Sequence, residues 1–110
     1  ERYNAIGRAC VAAELAQLPD EAALAGAMAR VVDGFHAMYV EHPVMRDIWS
    51  ATQADRALQA IDAADMAEHG RMLDAALARV RPSMDATARA TLARLAMELV
   101  AAAVRLAITQ

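Results

Sequence analysis

Residues 35-FHAMYVEHPVMRDIW-49 end one helix and begin the next, and the path of the chain depends on the corner between them. Pro43 has no backbone N–H and disfavours the α conformation in His42, so a helix through Tyr39 is expected to end near Glu41 or His42. A second helix can begin with Pro43 in its first turn. Five large apolar side chains can converge on the inner side of this corner and form an apolar wall: Phe35, Met38, Tyr39, Met45 and Trp49.

The regions on both sides of this corner are predicted to be helical. The chain has 110 residues, enough for one domain, and 58% of them are hydrophobic, with alanine prominent. Alanine favours helices and buries little area, and no stretch alternates between apolar and polar residues as a half-buried strand does. The predicted fold class is therefore all-α, an antiparallel bundle of about five helices.

Prolines and aspartates mark the expected helix boundaries. A first helix is expected over residues 1–17, before Pro19, and a second from Asp20 to about residue 41. A short helix over residues 44–51 follows the corner. A long helix, capped by Thr52 or Asp55, then reaches about residue 80, and Asp85 is the expected cap of the last one.

The four glycines fall inside the expected helices rather than at turns: Gly7, Gly26, Gly34 and Gly70. In a helix interior each costs about 1 kcal/mol relative to alanine. Close approach of two helices, or a local kink beside a cavity, would offset that cost. Plain tolerance in a long helix is the alternative.

The last helix is apolar on two sides. On a helical wheel Arg94, Glu98 and Arg105 fall together, while apolar residues cover about 240° of the circumference, far more than the stripe of about 100° that a surface helix needs. One flank can face the core, and the other needs a partner. We therefore expect a homodimer formed by Leu92, Leu95, Leu99, Ala102, Ala103 and Leu106. A further helix beyond Gln110 that covers this flank is the alternative.

Charge and cysteine content argue against several classes of protein. The net charge is −3 and the 11 basic residues are arginines that form no continuous strip, so binding of nucleic acid by this chain alone is not expected. Cys10 is the one cysteine and can form no internal disulfide. The most apolar run, residues 92–108, carries three charged residues, which favours a packed helix over a membrane span.

The polar residues near the apolar wall suggest binding rather than catalysis. Asp65 and His69 are four residues apart, but no Glu-x-x-His motif or second histidine at ligand spacing accompanies them, so no metal and no cofactor are expected. A core or pocket-edge His69 bonded to Asp65 or to a backbone carbonyl is the simpler interpretation. His36 is a candidate ligand contact. No activated nucleophile or phosphate-binding loop is recognisable, which disfavours an enzyme.

The order of these features resembles the C-terminal ligand-binding and dimerisation domain of the TetR family of bacterial transcriptional regulators. The resemblance runs through most of the chain and ends in a last helix that is apolar on two sides. Its sequence features are Glu1-Arg2-Tyr3 opening an Ala/Leu-rich helix, the restart 19-PDEAAL-24, the helix end 35-FxxxYxxHP-43, Arg46-x-x-Trp49, and the restart at Ala54-Asp55.

The resemblance implies that residues 1–110 are the effector-binding and dimerisation domain of a cytoplasmic one-component repressor. It places Glu1 in the family's fourth helix, after a helix-turn-helix DNA-binding domain that these residues lack, and it implies that the final dimerisation helix is missing or truncated after Gln110. DNA would be contacted only through the missing domain, and no membrane is involved.

In such regulators a small, usually apolar effector enters a cavity between the helices. It shifts the first helix like a lever, changes the separation of the two DNA-reading heads, and releases the operator. Carried onto this chain, the resemblance implies a ligand-binding set made of Ile6, Cys10, Val31, Phe35, His36, Met38, Tyr39, Met45, Trp49, Met66, His69 and Met97.

Two other interpretations stay open at the level of sequence. A free-standing helical interaction module would use the second apolar flank of the last helix to dock a different protein. A small all-α enzyme would need its arginines and carboxylates to converge in a cleft. Binding of a small ligand separates the regulator from the interaction module.

Overall fold

The computed structural model describes residues 2–108, and in this range the chain forms helices and no strands. The helices are α1 (Arg2–Ala16), α2 (Leu24–Glu41), α3 (Val44–Thr52), α4 (Arg56–Val80) and α5 (Ala86–Ile108), with a short 3₁₀ turn at Glu21–Ala23 before α2. The predicted all-α bundle of five helices is confirmed. The expected helix start at Glu1 and the end of the chain at Gln110 lie outside the described residues.

Aspartate side chains cap the starts of α4 and α5, as predicted, and Asp20 caps the 3₁₀ turn before α2 rather than α2 itself. Each carboxylate accepts a hydrogen bond from a backbone N–H that has no partner within its own helix. The bonds are Asp20 from Ala23 at 3.0 Å, Asp55 from Ala57 at 2.8 Å, and Asp85 from Ala88 at 3.0 Å. Of the two candidate caps for α4, the structure selects Asp55.

The corner at Pro43 forms where the sequence predicts it. α2 ends at Glu41, and His42 leaves the helical conformation while its N–H still donates to the carbonyl of Met38 at 2.9 Å. Pro43 has helical backbone angles and precedes α3 directly. The Arg46 guanidinium donates to the backbone carbonyl of Ile108, which fastens the corner to the end of α5.

The core lies where α1, α2, α4 and α5 meet, at the end of the bundle away from the corner. Its members share apolar side chains with almost no exposed surface: Val11, Leu15, Leu18, Ala27, Val31, Leu73, Ala76, Leu77, Ala93 and Met97. Alanines at three of these positions let the helices approach closely, so small side chains contribute to packing even though each buries little area.

Two glycines make room where α1 crosses α2. A Cβ added at Gly7 would lie 3.0 Å from the ring of Phe35, and one added at Gly34 would lie 2.9 Å from the sulfur of Cys10. Close helix approach therefore explains these two positions. Gly26 is exposed, and a Cβ added there would lie 3.4 Å from a guanidinium nitrogen at the end of the flexible Arg30 side chain, so no close helix approach requires glycine at this position.

Polar contacts hold α1 against α4 at two points. Near the end of α1, the Arg79 guanidinium donates to the carbonyls of Leu15 and Leu18, at 2.7 and 3.2 Å. In the first half of α1, Arg8 donates to the carboxylate of Asp65 at 2.8 Å. These contacts orient α1 along the face of α4 that reaches the corner.

Gly7→Ala and Gly26→Ala are expected to change stability in opposite directions. Alanine at exposed Gly26 should raise the free energy of unfolding by about 1 kcal/mol, because it removes backbone freedom from the unfolded chain. Alanine at Gly7 should lower it by about 1–3 kcal/mol, because the added methyl group must displace the Phe35 ring. Urea unfolding followed by circular dichroism measures both changes, and equal stabilisation by the two substitutions would contradict the close approach.

Candidate functional site

A cavity lies at the corner end of the bundle, and all five α-helices contribute to its wall. It encloses about 650 Å³ of space, part of which is open to solvent. The lining residues are Tyr3 and Asn4 of α1, Phe35 and Tyr39 of α2, Met45 and Trp49 of α3, Asp62, Asp65, Met66 and His69 of α4, and Met97, Val100, Ala101, Val104 and Arg105 of α5. The space between the helices of a bundle is a common place for a small-molecule site, and an apolar lining with a few polar groups is typical of such sites.

Seven of the twelve residues expected to bind a ligand lie together in this wall: Phe35, Tyr39, Met45, Trp49, Met66, His69 and Met97. They combine aromatic rings with flexible, polarisable methionines. The Pro43 corner is responsible for much of this, because it turns α3 so that Met45 and Trp49 face the residues of α2.

The other five expected residues lie elsewhere. Val31 and Met38 are buried in the bundle, and Cys10 packs against Gly34. Ile6 is exposed, with 40% of its surface accessible. His36 lines a separate surface depression near Pro43 and Ile108.

Several lining residues were not anticipated from the sequence: Tyr3, Asn4, Asp62, Val100, Ala101, Val104 and Arg105. A signal existed for Asp62, which precedes Met66 by four residues and His69 by seven and so shares their helix face. In α1 the same spacing rule points to Tyr3, which precedes the expected residues Ile6 by three positions and Cys10 by seven, whereas no signal existed for Asn4.

A second hollow of about 660 Å³, again partly open to solvent, adjoins the first. The two share six lining residues, and the second extends between α3 and the first turns of α4 to Ile48, Leu58 and Ile61. The cavity therefore continues toward the surface on the side of α3.

His69 is the most deeply buried polar side chain of the cavity wall, with 2% of its surface exposed. Its Nε2 has no hydrogen-bond partner among the described residues, and Asp65 Oδ2 is 3.9 Å away. The Phe35 ring meets the imidazole edge to face, with 5.8 Å between the ring centres. Burial lowers the pKa of His69; Asp65 opposes this shift, and Arg8 adds to it. The imidazole is therefore neutral at pH 7.

Charged groups around the cavity come from different helices and partly compensate one another. Burial raises the pKa of the Asp62 carboxyl, an effect that Arg105 opposes and that Asp65 and Glu98 increase. Burial likewise raises the pKa of Tyr39, so its hydroxyl keeps its proton at pH 7. The polar part of the wall thus offers one neutral hydroxyl, one neutral imidazole and two carboxylates that have arginines nearby.

α5 presents one apolar flank to the core and leaves the other exposed. Met97 and Val104 are buried, whereas Leu92, Leu95, Leu99 and Leu106 expose 43%, 49%, 71% and 61% of their surfaces. Ala102 and Ala103 are exposed between them. The residues expected to form a dimer interface therefore make one accessible apolar strip, which we call the leucine strip.

A family model described as the tetracyclin repressor-like C-terminal domain matches residues 22–110. The chain belongs to this family. No curated protein and no solved structure matches it. The matched residues of the chain begin just before α2. They therefore include the corner and most of the cavity wall, but not α1.

Two further observations concern residues 2–108 of this tetracyclin repressor-like domain. No helix in that range is long and apolar enough to cross a membrane. No group of three or more His, Cys, Asp and Glu side chains there is close enough to hold a metal ion.

The free energy of unfolding should fall as the pH drops below 6.5, and His69 should be a cause. Because burial lowers the pKa of His69 in the folded chain, the unfolded chain binds a proton that the folded chain does not, so stability is full above 6.5 and is lost below it. The loss grows as the pH falls further below 6.5 and levels off once the folded chain also binds the proton. Urea titrations between pH 8 and pH 5 measure it.

The variant His69→Gln serves as the reference in this experiment, because it retains all other titrating groups, including Asp62. Its stability should depend less on pH than that of the wild type over the same range. Parallel curves for the two proteins would show that His69 does not titrate differently on folding.

Proposed function

We propose that this chain is the effector-binding and dimerising domain of a one-component transcriptional repressor that acts in the bacterial cytoplasm. A small, mostly apolar effector occupies the cavity at the corner end of the bundle, and a DNA-binding domain outside these 110 residues reads the operator. The observation that carries the proposal is a cavity walled by all five α-helices in a member of this family. The role involves no catalysis.

The cavity wall supports a route from effector to DNA through α1. Tyr3 and Asn4 of α1 line the cavity, and Arg8 one turn later is bonded to Asp65 in the opposite wall. Phe35 lies between the cavity and the backbone of Gly7. An effector that favours one position of these groups therefore favours one position of α1, which is the condition for a ligand to shift a regulator between two states.

The leucine strip supports homodimerisation. Soluble monomers rarely expose a large contiguous apolar patch, and such patches commonly mark protein interfaces. A symmetric dimer about α5 would bury the same strip on both chains. A helical interaction module would use the strip for a different protein, but that function needs no cavity lined by aromatic and methionine side chains.

Trp49→Ala and Tyr39→Ala should weaken binding of a neutral apolar probe such as N-phenyl-1-naphthylamine by about tenfold, equivalent to about 1.4 kcal/mol. Both substitutions remove a large aromatic surface from the cavity wall. Probe fluorescence measures the affinities, and thermal unfolding checks that both variants stay folded. Val40→Ala, on the exposed side of α2, is the matched control. Unchanged affinity in both cavity variants would reject the pocket as the effector site.

Sedimentation equilibrium at tens of micromolar should give the mass of a dimer. Leu95→Glu combined with Leu99→Glu should give a monomer, because two carboxylates on each chain would be buried against an apolar surface. Val40→Glu, which adds a charge at an exposed apolar position of α2, should leave the dimer intact. A wild-type monomer under these conditions would contradict dimerisation through the leucine strip.

A further inference from the structure

The imidazole of His69 carries a buried polar atom, Nε2, whose hydrogen bond is not made within residues 2–108. Among the described residues Nε2 has no hydrogen-bond partner, although the side chain is 98% buried and forms part of the cavity wall. Buried polar groups of folded proteins nearly always have a partner, and an unmade hydrogen bond costs about 1–3 kcal/mol. This nitrogen therefore marks a place where a molecule in the cavity can supply the missing bond.

Asp65 provides a second polar atom at the same place. Its Oδ1 is bonded to Arg8, whereas its Oδ2 lies 3.9 Å from His69 Nε2, too far for a direct hydrogen bond. This separation allows one oxygen atom to lie about 2.8 Å from both atoms at once, with an angle of roughly 90° at that oxygen. Because Nε2 has almost no exposed surface, neighbouring side chains must move to admit that oxygen. The distance between His69 Nε2 and Asp65 Oδ2 therefore suits a single ligand atom that forms a hydrogen bond with each of them.

A neutral hydroxyl group meets the requirements of both partners. We assign the proton of the neutral imidazole to Nε2, because that tautomer turns an N–H rather than a lone pair towards the carboxylate of Asp65. A hydroxyl then accepts a hydrogen bond from Nε2–H while it donates its own proton to that carboxylate. An ether or a ketone can only accept, so it leaves the carboxylate unsatisfied. A carboxylate in the ligand would be repelled by Asp65 and Asp62, and a cation has no acceptor for Nε2–H, while Arg8 and Arg105 already offset the two aspartates.

We infer that the effector is an apolar molecule with a neutral hydroxyl group, either an alcohol or a phenol, which bridges His69 Nε2 and Asp65 Oδ2. This inference rests on the proposed effector site and gives it a ligand class. The hydrocarbon part lies against Phe35, Trp49 and the methionines, whose flexible side chains accept varied shapes. Selectivity therefore resides in the hydroxyl contact.

The test compares ligands that share one hydrocarbon part and differ in the polar group. Para-butylphenol carries the hydroxyl, para-butylanisole replaces it with a methyl ether, para-butylbenzoate is an anion and para-butylbenzylamine is a cation. Trp49 is the one tryptophan of the chain and lines the cavity, so its fluorescence reports binding, and calorimetry gives the affinities. The phenol should bind at least about tenfold more tightly than each of the other three, as expected when a site loses a buried hydrogen bond.

The saturated analogue butylcyclohexanol distinguishes the two sources of a hydroxyl. Tighter binding of this alcohol points to aliphatic alcohols, and tighter binding of the phenol points to phenols. Either result supports the inference, provided that the hydroxyl compound exceeds its methyl ether.

His69→Leu tests the residue itself. It should lower the affinity for the phenol to that for the ether and leave the ether unchanged, whereas general damage to the cavity would lower both. His69→Gln, which keeps a hydrogen-bonding group, should retain part of the preference.

Three results would overturn the inference. Equal affinities of phenol and ether in the wild type would overturn it and leave the proposed effector site intact. The same holds if the benzoate or the benzylamine binds most tightly. If none of the probes binds at millimolar concentration, the proposed effector site fails together with the inference.

Discussion

The contact between the Phe35 ring and the backbone at Gly7 sets the arrangement of the other helices around the cavity. A Cβ at position 7 would come within 3.0 Å of two ring atoms, so the ring has its place only because the residue opposite has no side chain. From there Phe35 meets His69 edge to face and contributes to the cavity wall. One aromatic side chain thus connects the position of α1, the core of the bundle and the orientation of the imidazole. Close packing leaves these three sites little room to move independently.

The sequence was sufficient to predict the helices and the corner, because their signals are local. Pro43 prevents α2 from continuing, and aspartates cap the starts of α4 and α5. These helix boundaries therefore do not depend on tertiary contacts. The same corner made Tyr39 and Trp49 recognisable as cavity residues. The face of α1 was not predictable, because alanines surround its few large residues and helix periodicity alone gives no orientation. Its rotation is decided by Gly7 against Phe35, and this brings Tyr3 and Asn4 to the cavity while Ile6 is left exposed.

The polar part of the cavity depends on contacts between residues far apart in sequence. Arg8 and Asp65 are 57 positions apart, and Arg105 acts on Asp62 from another helix. Spacing within one helix could suggest that Asp65 and His69 share a face, but it could not show that an arginine from α1 would hold one oxygen of Asp65. Because Arg8 occupies that oxygen, the other oxygen and the imidazole nitrogen remain 3.9 Å apart beside the cavity. The arrangement of the polar groups in the cavity wall is therefore a tertiary property, whereas much of the apolar lining follows from the sequence.

Arg79 holds the C-terminal end of α1 through the carbonyls of Leu15 and Leu18, and the bond between Arg8 and Asp65 holds the helix again near its middle. From Leu15 back to Arg2 the helix axis measures about 20 Å, at about 1.5 Å per residue. A tilt of about 5° about the Leu15 end would move the first residues of α1 by about 2 Å and would move Arg8 by about 1 Å relative to Asp65. Tyr3 and Asn4 lie near the end with the longest moment arm, so such a tilt would change the cavity wall more than the buried contacts near Leu15.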